Sequence, residues 1–147
     1  MTTIVATLDC MAADRFVTYG PSYQGDPKIW VARGSIWGAA GTVALCLAFK
    51  AWTFTKAKRP TIEPADDDKV EVLQLSPQGL FLWTGGGGPD PVRESFYGIG
   101  SGGGYAIGAL SKSATLDEAL EIAQKWDANT RGPFDKIALK DIRRRGR

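Results

Sequence analysis

The chain has 147 residues, a length that fits one domain with a substantial buried core. Hydrophobic residues make up 44% and charged residues 23%, as in ordinary globular proteins, and the net charge of +2 indicates no particular class of partner. The chain contains no histidine, which excludes Ser/His/Asp and Cys/His catalysis and histidine zinc sites. Its two cysteines, Cys10 and Cys46, lie in separate apolar segments, so we expect buried, reduced thiols in a cytoplasmic protein.

One uncharged stretch, residues 34–49, approaches the composition of a membrane helix. It is sixteen residues long, holds three glycines and is followed by Lys50, whereas a spanning helix needs about 20 apolar residues. We therefore expect a buried strand, a turn and a buried helix here, and no membrane span. The N-terminal residues also lack the basic and apolar regions of a secretory signal, in keeping with a cytoplasmic location.

The first half of the chain reads as strands followed by a helix. The segment at residues 16–26 holds Tyr-Gly-Pro and ends in the first two residues of Gly-Asp-Pro, and both sequences indicate turns. A further turn is predicted at residues 32–35. Thr42 is placed to cap a helix over residues 43–56, whose basic end suits the helix dipole. The strands are predicted at residues 2–8, 10–14, 28–31 and 36–40.

The second half of the chain alternates strands with two helices. A polar loop over residues 58–68 contains three consecutive aspartates, which we interpret as solvated and not as a metal site. One helix opens at Tyr105, and the next follows a capping box of Thr115 and Glu118 and runs to Asp127. Further strands are predicted at residues 70–75, 80–83, 96–100 and 134–139.

The order of these elements predicts the fold class. Strands first, then a helix, strands, two helices and a strand indicate an α+β fold with mainly antiparallel pairing. We expect a single domain over residues 1–147. Residues 140–147 form a basic tail, interpreted as a solvated end and not as a nucleic-acid contact.

The glycine-rich segment Gly100–Gly104 lies between a predicted strand and a predicted helix. Free amides at a helix N-terminus can bind a phosphate. However, the lysine of a P-loop is missing, and no βαβ unit follows. We therefore expect no nucleotide and no other cofactor.

The N-terminus offers a nucleophile of another kind. Removal of Met1 would leave Thr2 as a free N-terminal threonine. Such a residue carries a hydroxyl nucleophile and a primary amine, so the base lies beside the group that it activates. Threonine at position 2 is common, so the rest of the chain decides whether Thr2 has this role.

Several motifs, taken in chain order, resemble those of proteasome β-subunits and the HslV peptidase. They are Thr2–Val5, Ala12–Asp14, Lys28, Ala39–Gly41, Ile99–Gly103 with Tyr105 and Ala106, and Asp127–Thr130. The resemblance covers nearly the whole chain. It implies the N-terminal-nucleophile (Ntn) hydrolase fold, a four-layer αββα sandwich of two mainly antiparallel sheets. It also implies a threonine peptidase that acts on peptides or unfolded proteins without a cofactor or a metal.

The same resemblance implies a reaction centred on the N-terminal residue. The Oγ of Thr2 would attack the scissile carbonyl and form an acyl-enzyme. The amine of Thr2, with an ordinary pKa of about 7.7–8.0, would serve as general base. Lys28 would place a positive charge beside Thr2, and Asp14 would hold Lys28. Judged without the family, an ordinary surface pair of Asp14 and Lys28 is the less favoured alternative.

Other residues that match the family's motifs would complete the site. The amide of Gly41 would donate to the oxyanion, although this glycine could also be only a turn before the helix. Ser101, Asp127 and Thr130 match the group that binds the terminal amine, while Ser101 and Thr130 taken singly are ordinary caps. Ala39 matches the floor of the substrate pocket, where a small residue leaves the pocket deep.

Two departures from the family keep alternatives open. The first hairpin is shorter than usual, and the polar loop at residues 58–68 stands where the family has a second long helix. A catalytically inactive assembly or binding subunit, or an Ntn hydrolase of non-peptide amides, is therefore an alternative to the peptidase. The resemblance further implies a homo-oligomer, in which a ring is possible, and a possible ATP-dependent unfoldase partner. Neither nucleic acid nor a membrane is expected as a partner.

Overall fold

The computed structural model describes residues 2–15 and 27–145. Their strands are β1 (Thr3–Thr7), β2 (Cys10–Asp14), β3 (Ile29–Ala32), β4 (Ser35–Gly41), β5 (Val70–Ser76), β6 (Gly79–Thr84), β7 (Asp90–Pro91), β8 (Phe96–Gly100) and β9 (Phe134–Ala138). Their helices are α1 (Val43–Thr53), α2 (Gly103–Ser111), α3 (Leu116–Trp126) and α4 (Leu139–Arg145), with a 3-10 helix at Pro64–Lys69.

The strands form two sheets. The first has the order β8-β1-β2-β9, and the second has the order β3-β4-β5-β6-β7. Neighbouring strands are antiparallel in both sheets. In the first sheet, Thr3 pairs with Gly100 of β8. On its other side, Ile4 pairs with Ala13 of β2, and this register places Thr3 opposite Asp14. This register brings three predicted motifs together at one end of the sheet.

Alternation along the strands explains how the layers stack. Ile4 of β1 and Met11 of β2 face the second sheet and pack with Leu73 and Leu75 of β5. The intervening residue Val5 faces the opposite way and packs against α2 and α3. The outer face of the second sheet is covered by α1. These are the four layers of the predicted αββα sandwich, and the α+β prediction is confirmed.

An aromatic cluster fills the space between the second sheet and α1. Trp37 and Phe49 are fully buried, and the ring of Trp83 lies 5.8 Å from Trp37 and 5.7 Å from Phe49. Burial of one such side chain stabilises a fold by about 1.5–3 kcal/mol. The Arg59 guanidinium lies 5.2 Å from the Trp83 ring and donates to the carbonyls of residues 84, 85 and 87. Arg59 thus covers this cluster from the loop predicted at residues 58–68, which stands where the family has a second long helix.

The structure corrects the predicted end of α1. The helix stops at Thr53 and not at residue 56, because Arg33 of the β3–β4 turn binds its last carbonyls. The guanidinium donates to the carbonyls of Trp52, Thr53 and Thr55. At the other end, Thr42 occupies the N-cap position but makes no side-chain capping bond.

Other boundaries also differ from the sequence prediction. The loop predicted at residues 58–68 contains most of the 3-10 helix, and β7 was not predicted. Helix α2 begins at Gly103, two residues before the predicted start at Tyr105. Most of the predicted basic tail is α4, because Leu139 and Ile142 pack against the core between the sheets. The capping box of Thr115 and Glu118 is confirmed.

The uncharged stretch at residues 34–49 forms β4 and the first part of α1. The strand is buried as predicted, but the prediction of a buried helix is wrong: in α1 only Phe49 and Thr53 are buried, and Val43 and Leu47 are 56% and 57% exposed because they face away from the second sheet. In residues 2–15 and 27–145, no helix is both long and apolar enough to cross a membrane. The turns predicted at residues 16–26 lie outside the described residues.

Candidate active site

Asp14 and Lys28 form an ion pair inside the protein. Asp14 ends β2, and Lys28 immediately precedes β3, so the two strands bring the side chains together. Lys28 Nζ lies 2.9 Å from Asp14 Oδ1, with 8% of the Lys28 side chain and 0% of the Asp14 side chain exposed. The alternative interpretation as an ordinary surface pair is therefore wrong.

The environment of Lys28 disfavours its charged form. Burial lowers the pKa of Lys28, and the nearby charge and hydrogen bond of Asp14 only partly oppose that shift. Asp14 also accepts hydrogen bonds from the backbone N–H groups of Thr3 at 3.0 Å and Arg131 at 3.3 Å. Both carboxylate oxygens of Asp14 thus accept hydrogen bonds, and Asp14 holds Lys28 at one end of the first sheet.

A second polar cluster surrounds Asp127, which follows α3. Its Oδ2 accepts hydrogen bonds from Ser101 Oγ at 2.7 Å and Thr130 Oγ1 at 2.6 Å. Its Oδ1 accepts from the backbone N–H of Asn129 at 3.1 Å. Burial works to raise the pKa of Asp127, but the hydrogen bonds from Thr130, Ser101 and Asn129 outweigh it, so the pKa lies below its ordinary value. The structure therefore places Ser101, Asp127 and Thr130 in one hydrogen-bonded group, as the family resemblance implied.

Thr3 is a site residue that sequence reasoning missed. Its side chain is fully buried, lies 2.6 Å from Thr130 Oγ1 and accepts a hydrogen bond from the N–H of Gly102 at 3.0 Å. Alternation along β1 contained the signal, because Thr3 and Val5 share the face that α2 and α3 cover. A hydroxyl on that buried face needs partners inside the protein.

Thr2 precedes β1 at the end of the first sheet, next to Thr3, which contacts Asp14 and Thr130. Its carbonyl accepts a hydrogen bond from the backbone N–H of Ser101 at 2.9 Å. Alternation along β1 places the Thr2 side chain on the same face as Ile4, toward the second sheet. Gly100 has a φ of +85°, and a Cβ at this position would overlap the carbonyl of Thr2. The close approach of β8 to Thr2 therefore requires glycine.

This close approach makes a prediction about stability. We expect Gly100→Ala to lower the free energy of unfolding by about 2 kcal/mol or more, because both the positive φ and the steric overlap oppose it. Urea unfolding measures this change. Gly104→Ala is the matched control, since Gly104 lies in α2 with open space around its Cα. The control should be neutral or stabilising by up to about 1 kcal/mol, and equal effects of both substitutions would contradict the prediction.

Gly41 ends β4 beside Lys69. It has a φ of +129°, and a Cβ would overlap the Lys69 carbonyl, which accepts the N–H of Thr42 at 2.9 Å. Because hydrogen bonds alternate along an antiparallel pair, the N–H of Gly41 points away from β5. It lies on the same side as the N–H of Ala39, which donates to the carbonyl of Lys28 at 3.4 Å. The Gly41 amide therefore points to the side of β4 on which Lys28 lies.

Ala39 and Cys46 lie on the α1 side of the second sheet. Ala39 is buried in the aromatic cluster, and Cys46 packs against that cluster while half-buried. Burial raises the pKa of the Cys46 thiol to about 11, although the nearby charge of Lys28 opposes the shift. Cys46 is therefore a neutral thiol near pH 7. Cys10 and Cys46 are both free, as predicted, but half-buried where full burial was expected.

A pocket of about 500 Å³ lies beside the Asp127 cluster. It is lined by Gln124, Asp127, Ala128, Thr130, Arg131 and Gly132. Ala39, the predicted floor of the substrate pocket, does not line it. In the described part of the chain, no three acidic or cysteine side chains come together as a metal site would require.

Comparisons with solved structures identify the fold. The crystal structure of eukaryotic HslV from Trypanosoma brucei superposes with a TM-score of 0.70 and 19% sequence identity, covering 93% of this chain and 98% of that one. The chain has the fold of HslV. BPH from Thiobacillus denitrificans is also similar, with a TM-score of 0.72 and 17% identity over 93% of this chain and 96% of BPH.

A further structure, BPH in complex with epoxomicin, gives a TM-score of 0.69 at 17% identity, with the same coverage of both chains. No protein-family model matches the chain, and no curated protein does either. The predicted resemblance to HslV and the proteasome β-subunits, and the Ntn-hydrolase sandwich that it implies, are confirmed at the level of the fold. The function must be argued from the residues themselves.

Proposed function

We propose that the chain is a threonine peptidase in which Thr2, exposed by removal of Met1, is the nucleophile. The observation that carries this proposal is that two polar groups contact the backbone at Thr2 and Thr3. The Asp14–Lys28 pair accepts the N–H of Thr3, and Ser101, whose hydroxyl donates to Asp127, binds the Thr2 carbonyl through its own N–H. An N-terminal threonine in such surroundings has a base, a nearby positive charge and a fixed backbone.

In the proposed reaction, Thr2 Oγ attacks the carbonyl carbon of the scissile peptide bond. The free amine of Thr2 takes the hydroxyl proton and later gives a proton to the leaving amine. The positive charge of Lys28 favours the neutral amine and an ionised hydroxyl. The N–H of Gly41 donates to the oxyanion, a contact that can be worth about 2.7–4 kcal/mol. Water then hydrolyses the resulting ester and frees Thr2.

The Asp127 cluster has the complementary role of orienting the amine. A carboxylate whose pKa is held low stays ionised near pH 7, so it can only accept hydrogen bonds. Ser101 and Thr130 both donate to it, which fixes their hydroxyl protons. Thr130 Oγ1 accepts from the Thr3 hydroxyl, which leaves it one further lone pair, and Ser101 Oγ keeps its lone pairs. We infer that these oxygens accept hydrogen bonds from the Thr2 amine and direct its lone pair to the hydroxyl.

The partners of this peptidase stay predictions from the family resemblance. Peptides or unfolded proteins are the proposed substrates, a homo-oligomer is the proposed state, and an ATP-dependent unfoldase is a possible partner. Ala39 keeps its predicted role in the substrate pocket. A cytoplasmic location and the extent of one domain over residues 1–147 are further predictions of the same kind.

The proposal is tested on the purified protein in three measurements. Intact mass should show loss of Met1, fluorogenic peptides should be hydrolysed, and epoxomicin, which BPH binds, should add once per chain. Thr2→Ala should abolish the adduct and lower kcat/KM by about 10⁴-fold or more. Thr7→Ala, at the far end of β1, is the matched control and should retain activity.

The outcomes separate the alternatives. Complete retention of Met1 would rule out the mechanism. A processed protein without turnover or adduct would favour the inactive assembly or binding subunit. Hydrolysis of simple amides, but not of peptides, would favour the non-peptide amidohydrolase.

A further inference from the structure

Thr3 contacts both buried polar groups of the site. Its backbone N–H donates to Asp14 Oδ1 at 3.0 Å, and Asp14 in turn accepts from Lys28 at 2.9 Å. Its side-chain Oγ1 lies 2.6 Å from Thr130 Oγ1, and Thr130 donates to Asp127 Oδ2. The Asp14–Lys28 pair and Asp127 are therefore connected through the amide and hydroxyl of Thr3 and the hydroxyl of Thr130.

The hydrogen bonds through Thr3 have a fixed direction. An ionised carboxylate only accepts, so the single hydroxyl proton of Thr130 goes to Asp127. Thr130 must then accept the hydroxyl proton of Thr3, and Thr3 Oγ1 accepts from the N–H of Gly102 at 3.0 Å. The chain therefore runs from Gly102 through Thr3 and Thr130 to Asp127. Replacing Thr3 by a residue without a hydroxyl would remove two hydrogen bonds from this chain, the one from Gly102 and the one to Thr130.

The shape of the Thr3 side chain is also matched to its surroundings. A Cβ on Gly102 would overlap Thr3 Oγ1 and would lie 3.0 Å from Thr3 Cγ2, so both branches pack against the backbone at the start of α2. Valine at position 3 would keep this shape and lose the hydroxyl. Serine would keep the hydroxyl and lose the methyl group.

We propose that the Thr3 hydroxyl is the positioning group that holds Thr2 in place and couples it to Asp127, an inference that rests on the proposed function. Thr2 is bonded covalently to Thr3, and its carbonyl accepts the N–H of Ser101, whose hydroxyl donates to Asp127. Without the Thr3 hydroxyl, the first residue of β1 can shift relative to Ser101. A displacement of about 1 Å at a reacting centre can cost about 100-fold in rate.

The test compares Thr3→Val with Thr3→Ser. In Thr3→Val, amide hydrogen exchange at Ser101 should become at least about 10-fold faster, measured against the amide of Leu73 in the core of β5 as an internal reference. The kcat of the same variant should fall by about 10–100-fold, while its KM stays within about twofold of the wild-type value. Thr3→Ser should stay within about threefold of the wild type in both measurements. Thr7→Val is the matched control, since the Thr7 hydroxyl accepts only from Asp9 N–H in an exposed position.

The exchange measurement does not depend on enzymatic activity. If the wild-type protein shows no turnover, the proposed function fails, and exchange at the Ser101 amide alone then decides this inference. Faster exchange at Ser101 in Thr3→Val, with a lower kcat in an active protein, supports it. Unchanged exchange overturns it, and so does faster exchange with an unchanged kcat in an active protein. An equal loss in Thr3→Ser and Thr3→Val also overturns it, because the hydroxyl would then have no specific part.

Discussion

Replacing Lys28 by methionine is expected to lower kcat for peptide hydrolysis by about 10²–10⁴-fold, the range typical of a group that assists proton transfer. Methionine keeps much of the length of the lysine side chain and removes its charge. The Thr2 amine then loses the neighbouring positive charge that keeps it neutral, and the hydroxyl loses the charge that favours its ionised form. Steady-state kinetics on a fluorogenic peptide would measure kcat and KM separately.

The matched control for this substitution is Lys136→Met. Lys136 also forms an ion pair with an aspartate, since its Nζ lies 3.3 Å from Asp117 Oδ2, but the two side chains are 49% and 65% exposed. Exposed pairs of this kind contribute about 0–1 kcal/mol, so the control should keep full activity. A Lys28→Met protein with wild-type kcat, shown by circular dichroism to be folded, would remove Lys28 from the mechanism.

Burial gives the charge of Lys28 a cost in stability. Burial holds the folded-state pKa of Lys28 below that of the unfolded chain. Between the two pKa values the unfolded state binds more protons, so stability rises with pH across that alkaline window. Below the folded-state pKa, the cost of charging Lys28 inside the protein is fully present. The proposed role of Lys28 beside Thr2 would account for a charge that is kept at this cost.

Much of the fold could be predicted from local patterns. Alternating β-branched and apolar residues indicated most strands, and the capping box at Thr115 indicated the start of α3 within one residue. The errors lie where distant residues decide the boundary. α1 ends early because Arg33, twenty residues before Thr53, binds its terminal carbonyls. α4 forms because Leu139 and Ile142 find a surface of the core, which the basic composition of residues 140–147 conceals.

The site shows the same division between local and distant information. The resemblance to known motifs indicated Asp14, Lys28, Ser101, Asp127 and Thr130, and the structure groups all five around the end of β1. Thr3 was missed because alternation along β1 indicates only that its side chain is buried and not which distant groups it contacts. Its importance follows from the register of β1, which places it opposite both Asp14 and Gly100. Register between distant strands is fixed by the packed fold and not by neighbouring residues.

The buried pair also makes a prediction about coupling. Asp14→Asn should lower the free energy of unfolding by about 3–5 kcal/mol at pH 7, because it leaves the Lys28 ammonium buried without its carboxylate. The double variant Asp14→Asn/Lys28→Met has no buried charge at either position and should be less destabilised than the Asp14→Asn single variant. Urea unfolding of the wild type, both single variants and the double variant completes the cycle.

The expected coupling energy is at least about 2 kcal/mol, since each single variant leaves one uncompensated charge and the double variant leaves none. Stability and activity should separate in this cycle: the double variant recovers stability relative to Asp14→Asn but stays as inactive as Lys28→Met. Effects that add within about 0.5 kcal/mol would show that the two charges do not interact. Recovery of activity with stability would instead show that the pair serves only to hold β2 and β3 together, and the role of Lys28 at Thr2 would have to be abandoned.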